Sequence, residues 1–110
     1  MTIEVDGRSI DTDREGYLLN ASDWTPRVAE VIAEREQLVL TDEHWEVIRW
    51  VRTFYEEFGK SPSIRPLVNY LKQTMGPEKG NSIYLAMLFP GGVAKQATKL
   101  AGLPKPARCT

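Results

Sequence analysis

The sequence predicts a single α+β domain that is mostly helical, with a small amino-terminal β-hairpin or meander packed on about five helices and an extended carboxy-terminal arm. Three observations predict it. Apolar residues alternate near the start of the chain and stop at an Asp-Gly pair. Between residues 22 and 101 they recur at helical spacing in five segments, and two prolines follow the last segment. A chain of 110 residues is long enough for one modest core.

The first element is the hairpin, in residues 1–20. Ile3 and Val5 lie on one face of a strand that ends at Asp6-Gly7, a pair that tolerates the positive φ angles of a tight turn. A short third strand is expected at 17–19, after an acidic loop.

The first two helices follow in the segment 22–59. The first is expected to begin near Ser22 or Asp23, with Pro26 in its first turn, and to end by residue 38. The second begins after Thr41, a good N-cap, and ends at Gly59. Its apolar face is the most regular in the chain and predicts a central helix; it consists of Val47, Trp50, Val51, Phe54, Tyr55 and Phe58.

Three shorter helices are predicted at 64–75, 83–88 and 93–101, and each is closed by glycine or proline. Beyond Gly102, Pro104 and Pro106 remove backbone donors and favour extended geometry, so the residues 102–110 are expected to form the arm. The arm ends in Arg108, Cys109 and Thr110.

Charge is distributed unevenly along the chain. Residues 1–78 contain all fifteen acidic side chains and nine basic ones, a net charge of −6, whereas residues 79–110 carry five basic side chains and a net charge of +5. The chain is therefore an acidic body with a basic carboxy-terminal third. No apolar run is long enough to span a bilayer, and the start of the chain lacks the basic and apolar regions of a secretory signal. We expect a cytoplasmic protein.

One cysteine and one histidine leave little scope for metal or disulfide chemistry. A single cysteine forms no internal disulfide, and the two residues together provide no cluster with metal-ligand spacing, so neither a metal nor another cofactor is expected. His44 lies in the first turn of the second helix without a nucleophile in its own segment, and a structural role is favoured over a role as a base.

Two further patterns have a functional and a structural interpretation. The helices on either side of Gly59 resemble a helix-turn-helix, but the segment 64–75 offers only Arg65 and Lys72 as basic groups on an acidic body, so core packing is favoured over DNA binding. The aromatic side chains of the second helix are interpreted as core rather than as a ligand pocket.

Cys109 is the candidate functional residue. A lone cysteine is usually buried and inert, but this one follows two prolines at a free chain end, and Lys105 and Arg108 favour its thiolate form. Cys109 is the seventh residue after Gly102, which gives it a reach of about 22 Å in extended chain. The residues alone are compatible with two interpretations of Cys109: a reactive thiol, or a tail cysteine without a function.

The segment LFPGGVAKQATKLAGLPKPARCT resembles the carboxy terminus of the DsrC/TusE family, and DREGYL, Trp24, LTDEHW at 40–45 and SPSIRPL at 61–67 extend the match through most of the chain. The resemblance implies a β meander on a helical array with a mobile arm. It also implies that Cys109 carries sulfur as a persulfide from an upstream relay complex to a tRNA 2-thiouridylase, which makes 2-thiouridine at the wobble position. Lys105, Arg108, Lys95 and Lys99 are then candidates for stabilising the thiolate or docking a partner, and Arg65 for contacting the arm.

One departure from the family pattern bears on the alternatives. Members that act beside dissimilatory sulfite reductase carry a second cysteine eleven positions before the penultimate one, where this chain has Thr98. A hydroxyl cannot resolve a persulfide, so the resemblance favours the TusE branch over a regulatory or gamma-type subunit of a sulfite reductase or another sulfur-metabolising enzyme. A helix-turn-helix DNA-binding protein is the remaining alternative.

Overall fold

The computed structural model describes residues 1–106, and the fold class predicted from the sequence is confirmed. Two antiparallel strands precede five α-helices. The elements are β1 (Thr2–Val5), β2 (Arg8–Asp11), a 3₁₀ turn (Ala21–Asp23), α1 (Pro26–Arg35), α2 (Asp42–Phe58), α3 (Ile64–Met75), α4 (Ser82–Leu88) and α5 (Val93–Leu100). In the described part of the chain, no helix combines the length and the apolar character that crossing a membrane requires.

The amino-terminal hairpin has the predicted turn. Asp6 and Gly7 both have positive φ, 50° and 84°, as a two-residue hairpin turn of the I′ type demands. Ile3 pairs with Ile10, and both side chains are buried on the face that packs against α1. The expected third strand is reduced to one antiparallel bridge, between residues 12 and 18.

The start of α1 differs from the prediction. Asn20 caps the 3₁₀ turn by accepting a hydrogen bond from the Ser22 amide, and the helix itself begins only at Pro26. Its N-cap is Thr25, whose side chain accepts a hydrogen bond from the Val28 amide at 3.2 Å. Pro26 suits the first helical position because its missing N–H would have no partner there.

The second helix, α2, has the predicted boundaries, with Thr41 as N-cap and Gly59 in the left-handed conformation at its end. Its buried positions include Val47, Ile48, Val51 and Phe54. The aromatic stripe is less buried than expected: Trp45, Trp50 and Tyr55 are half-buried, and Phe58 is 54% exposed. Phe58 is the last residue of the helix, and its ring centroid lies 4.6 Å from that of Phe54 and 6.3 Å from that of Tyr70.

The last helix, α5, lies at the centre of the helical array and packs against α1, α2, α3 and α4. Its buried side chains are mostly small, and small side chains let neighbouring helices approach closely. They are Val93, Ala94, Gln96, Ala97, Thr98 and Leu100. The sequence predicted a central position for α2, whose Val47, Ile48 and Val51 are fully buried, and α5 packs against it. The segment that leads to Cys109 therefore leaves the middle of the core.

Candidate functional site

The carboxy-terminal end of α5, from which the arm starts, is closed by a Schellman motif. Gly102 is left-handed, with φ 71°, and its amide donates to the Lys99 carbonyl at 3.1 Å. The Leu103 amide donates to the Thr98 carbonyl at 3.2 Å. This pair of hydrogen bonds is the usual way to satisfy the last carbonyls of a helix while the chain turns away. Leu103 is 1% exposed, so the chain beyond the helix remains in the core.

The next two carbonyls of this helix end are bonded by side chains from distant parts of the chain. Trp24 Nε1 donates to the Leu100 carbonyl at 2.7 Å, and Arg52 Nη1 donates to the Ala101 carbonyl at 2.6 Å. The Arg52 guanidinium carbon lies 4.1 Å from the centroid of the Trp24 ring, a cation–π geometry. Burial lowers the pKa of Arg52, but an arginine remains a cation at any physiological pH. We call these two residues the Trp24–Arg52 pair.

Position 102 requires glycine for a second reason besides its positive φ. A Cβ atom placed on it would overlap the Cδ1, Cγ and Cβ atoms of Trp24. The Trp24 ring therefore packs directly on the backbone of the arm, and only glycine leaves room for it.

Two polar contacts extend the attachment of the arm beyond Leu103. Ser61 Oγ donates to the Pro104 carbonyl at 2.5 Å, and Lys105 Nζ pairs with Glu15 Oε1 at 2.7 Å. Pro106 is buried. The first five residues of the predicted arm, 102–106, thus lie on the body, and the part that carries Cys109 starts later than the two prolines suggest.

The basic side chains of α5 have different environments. Lys99 is paired with Glu36 Oε2 at 3.4 Å, lies over the Tyr17 ring, and has a side chain only 14% exposed. Lys95 is half-buried, and its carbonyl accepts a hydrogen bond from the Tyr17 hydroxyl at 3.4 Å. Within the described range 1–106, no ion pair to the Lys95 side chain is found. Lys95 is therefore better placed than Lys99 to meet a partner.

Gln96 links the same face of α5 to α1. It is buried, its Nε2 donates to Glu36 Oε1 at 3.3 Å, and its Oε1 accepts from the Gly91 amide at 3.0 Å. Sequence reasoning missed Gln96 and Glu36. The i, i+3 spacing of Gln96 and Lys99 was a usable signal, since it places both on one helix face, but nothing local indicated their shared partner.

The other predicted site residues do not come together with these groups. Arg65 is exposed in the first turn of α3 and makes no hydrogen bond to the described residues, so its contact with the arm stays a prediction. Thr98 is 0% exposed, and its Oγ1 has no hydrogen-bond partner among residues 1–106. Arg108 and Cys109 lie outside the described residues.

His44 has the structural role that the sequence favoured. Its Nδ1 accepts a hydrogen bond from the Thr41 amide at 3.0 Å, and its Nε2 lies 2.7 Å from the Leu88 carbonyl. An amide can only donate and a carbonyl can only accept, so Nδ1 serves as the acceptor and Nε2 as the donor. His44 thereby joins the start of α2 to the end of α4.

These features define a small α+β protein in which a central helix ends in an anchored segment and a penultimate cysteine follows. The chain belongs to the DsrC-like family: the family described as "DsrC like protein" matches residues 4–110, which confirms the resemblance found in the sequence. It is 59% identical over 107 residues to the Yersinia pestis protein named "Sulfurtransferase TusE", a match that covers 97% of this chain and 98% of the other.

Solved structures of the family have the same fold. The solution structure of Allochromatium vinosum DsrC is 51% identical and superposes with a TM-score of 0.90, covering 99% of this chain and 97% of that one. The crystal structure of the oxidized gamma-subunit of dissimilatory sulfite reductase (DsrC) from Archaeoglobus fulgidus is 36% identical, with a TM-score of 0.86 and full coverage of both chains.

Proposed function

We propose that this chain is a sulfur-relay sulfurtransferase that accepts a persulfide sulfur on Cys109 and passes it to a tRNA 2-thiouridylase. The observation that carries the proposal is that the only cysteine of the chain follows a segment anchored to the core by the end of α5. The sulfurtransferase class is supported by nearly full-length relatives of that name, at 53% to 59% identity.

The reaction consists of two thiol–persulfide exchanges. In the first, the Cys109 thiolate attacks the outer sulfur of a donor cysteine persulfide, the sulfur–sulfur bond of the donor breaks, and the donor leaves as a thiolate. In the second, an acceptor thiolate attacks the outer sulfur of the Cys109 persulfide, and Cys109 leaves as a thiolate. Each step forms one sulfur–sulfur bond and breaks another, so no net oxidation occurs and no cofactor is needed.

The basic side chains have unequal roles in this proposal. Arg108 is next to Cys109 in the sequence and favours its thiolate most directly, together with Lys105. Lys105 is held by Glu15, which reduces the charge that it offers to the sulfur. Lys95 docks an acidic partner, whereas Lys99 and its partner Glu36 mainly fix α5 on α1. Arg65 remains available to contact the end of the arm.

Thr98 supports a relay role over the alternative role as a subunit of a sulfite reductase. A buried hydroxyl at this position cannot form a disulfide with Cys109, so a persulfide on Cys109 must be resolved by a thiol of another protein. This requirement favours a relay over a two-cysteine redox subunit. The donor is an upstream relay complex, and the acceptor works on tRNA in the cytoplasm.

The test is intact-protein mass spectrometry after incubation with a cysteine desulfurase, cysteine and the relay proteins. Wild-type chain is expected to gain about 32 Da, the mass of one sulfur, in an adduct that dithiothreitol removes and Cys109→Ser abolishes. Thr98→Ser, which changes a hydroxyl residue but no thiol, is the matched control and should load normally. No adduct on the wild type while the relay proteins themselves are loaded would refute the proposal.

A further inference from the structure

The last four carbonyls at the end of α5 all have a donor, and two of the donors come from far away in the sequence. Those of Thr98 and Lys99 are bonded by the backbone of the arm, and those of Leu100 and Ala101 by the Trp24–Arg52 pair. A helix end of this type usually leaves some of its carbonyls to water. Here the chain continues in the core as Leu103, so water is excluded and side chains take its place.

Arg52 is a charged donor to the Ala101 carbonyl, where a neutral side chain would be expected. Glu56 lies one helical turn further along α2, yet the hydrogen bond that Arg52 makes within residues 1–106 is directed to the Ala101 carbonyl. A half-buried cation is costly, and a neutral amide could also donate a hydrogen bond to the carbonyl. The positive charge gains from two features of this place: the negative end of the α5 dipole and the face of the Trp24 ring. The pair therefore holds the helix end more firmly than a neutral donor would.

We propose that Trp24 and Arg52 are positioning residues for Cys109: they fix where the arm leaves the body and so limit the space in which the thiol meets its partner. This inference rests on the proposed carrier role of Cys109. Neither residue touches the reacting sulfur in the proposed mechanism. They act through the backbone of residues 100–102, which they bond and cover.

The size of the effect follows from the length of chain beyond the last anchor. An arm that pivoted at Gly102 would let Cys109 reach about 22 Å, whereas three residues beyond Pro106 reach about 10 Å. The accessible volume scales with the cube of the radius, so anchoring confines the thiol to roughly a tenth of the volume and raises its effective concentration near a docked partner about tenfold. A small reagent does not dock on the protein, so its rate of reaction with Cys109 is not raised by this confinement.

The experiment compares Arg52→Gln and Trp24→Phe with wild type. Arg52→Gln removes the charge and the stacking, and Trp24→Phe keeps an aromatic ring but removes the indole donor. Arg49→Gln is the matched control, because it is the same change on an exposed position of the same helix, and the Arg49 side chain makes no hydrogen bond or ion pair to residues 1–106. Arg52→Lys is the conservative variant. Two rates are measured: single-turnover sulfur transfer from a loaded donor protein, and alkylation of Cys109 by iodoacetamide as a function of pH.

We expect transfer to fall about tenfold in Arg52→Gln and severalfold in Trp24→Phe, while the rate and pH profile of alkylation stay within about twofold of wild type. Arg49→Gln should match wild type, and Arg52→Lys should recover part of the loss. Unchanged transfer in both test variants overturns the inference. So does an equal fall in alkylation, since the residues would then act on the thiol itself.

Amide exchange at Leu103 separates this inference from the carrier role. Its N–H is bonded to the Thr98 carbonyl, and release of the helix end should speed its exchange at least tenfold in Arg52→Gln relative to Arg49→Gln. Failure of the wild type to load sulfur would remove the proposed function while leaving this readout intact. Equal exchange in the two variants overturns the anchoring, and with it the positioning role, whether or not the wild type loads.

Discussion

The ends of α4 and α5 are both bonded by side chains from other elements, but to different extents. At the end of α4, His44 Nε2 donates to the Leu88 carbonyl, and the outer face of the helix is open to solvent, with Met87 78% exposed. At the end of α5, four successive carbonyls are bonded within the protein, and residues 101–103 are buried.

The difference shows what each helix end does. Beyond the buried Phe89, the chain after α4 is exposed at residues 90–92, so water can reach carbonyls at this helix end that have no internal donor. The chain after α5 is buried through Leu103, so each carbonyl at this helix end needs an internal donor. The end of α4 joins two helices, whereas the end of α5 is the start of the segment to which we assign the sulfur chemistry.

The largest expected effect is that of Gly102→Ala. A left-handed alanine costs about 1 kcal/mol, and the overlap of its Cβ with the Trp24 side chain adds about 2 kcal/mol, so the free energy of unfolding should fall by about 3 kcal/mol in urea denaturation. Gly59→Ala is the matched control: φ is 70° at Gly59 and 71° at Gly102, but nothing lies within 4 Å of a Cβ at Gly59. Equal losses in the two variants would contradict the packing of Trp24 on the arm.

The next largest effect is expected for His44→Leu, which removes the side-chain hydrogen bond at the end of α4. It leaves the Thr41 amide and the Leu88 carbonyl without their partner, and because both are partly reachable by water the expected loss of unfolding free energy is about 1 to 2 kcal/mol. Thermal unfolding measures it. Sulfur transfer by Cys109 should stay at the wild-type rate under conditions where the variant is folded. Slower transfer without unfolding would show that the two helix ends are coupled.

Most of the fold could be predicted from the sequence because its signals are local. The Asp6-Gly7 turn, the cap at Thr41 and the closing Gly59 each depend on the conformational preference of the residue itself. The start of α1 was placed too early because Ser22, Asp23 and Thr25 all resemble caps. The structure uses Thr25, next to Pro26, and an earlier cap at Asn20 instead holds a 3₁₀ turn.

The proposed site could be inferred from the sequence only where a single residue type suggests the chemistry. Cys109 is conspicuous in the sequence, as are the basic residues near it. The Trp24–Arg52 pair was not, because its contacts to the end of α5 join residues 76 and 49 positions apart. Trp24 drew attention only through the family resemblance, and Arg52 sits among apolar residues of α2 without any pattern that points to the arm. Long-range hydrogen bonds to backbone carbonyls leave no local trace in a sequence.

The smallest expected effect is that of Glu15→Gln, which removes the ion pair to Lys105. Both side chains are largely solvated, with exposed fractions of 49% and 37%, so the loss of unfolding free energy should be below about 1 kcal/mol and should shrink further in high salt. Thermal unfolding at low and high ionic strength measures the change, and Glu4→Gln, an acidic position on the exposed face of β1, controls for net charge.

Glu15→Gln also shows which of the contacts to residues 102–106 holds this segment most firmly. Leu103 amide exchange should change much less in Glu15→Gln than in Arg52→Gln, because a screened surface pair holds a segment less firmly than bonds to carbonyls that water cannot reach. An equal acceleration would mean that the Glu15–Lys105 pair is the principal attachment. The attachment of residues 102–106 would then weaken as ionic strength rises. The bonds to the carbonyls at the end of α5 would be a consequence of packing and would not hold the arm.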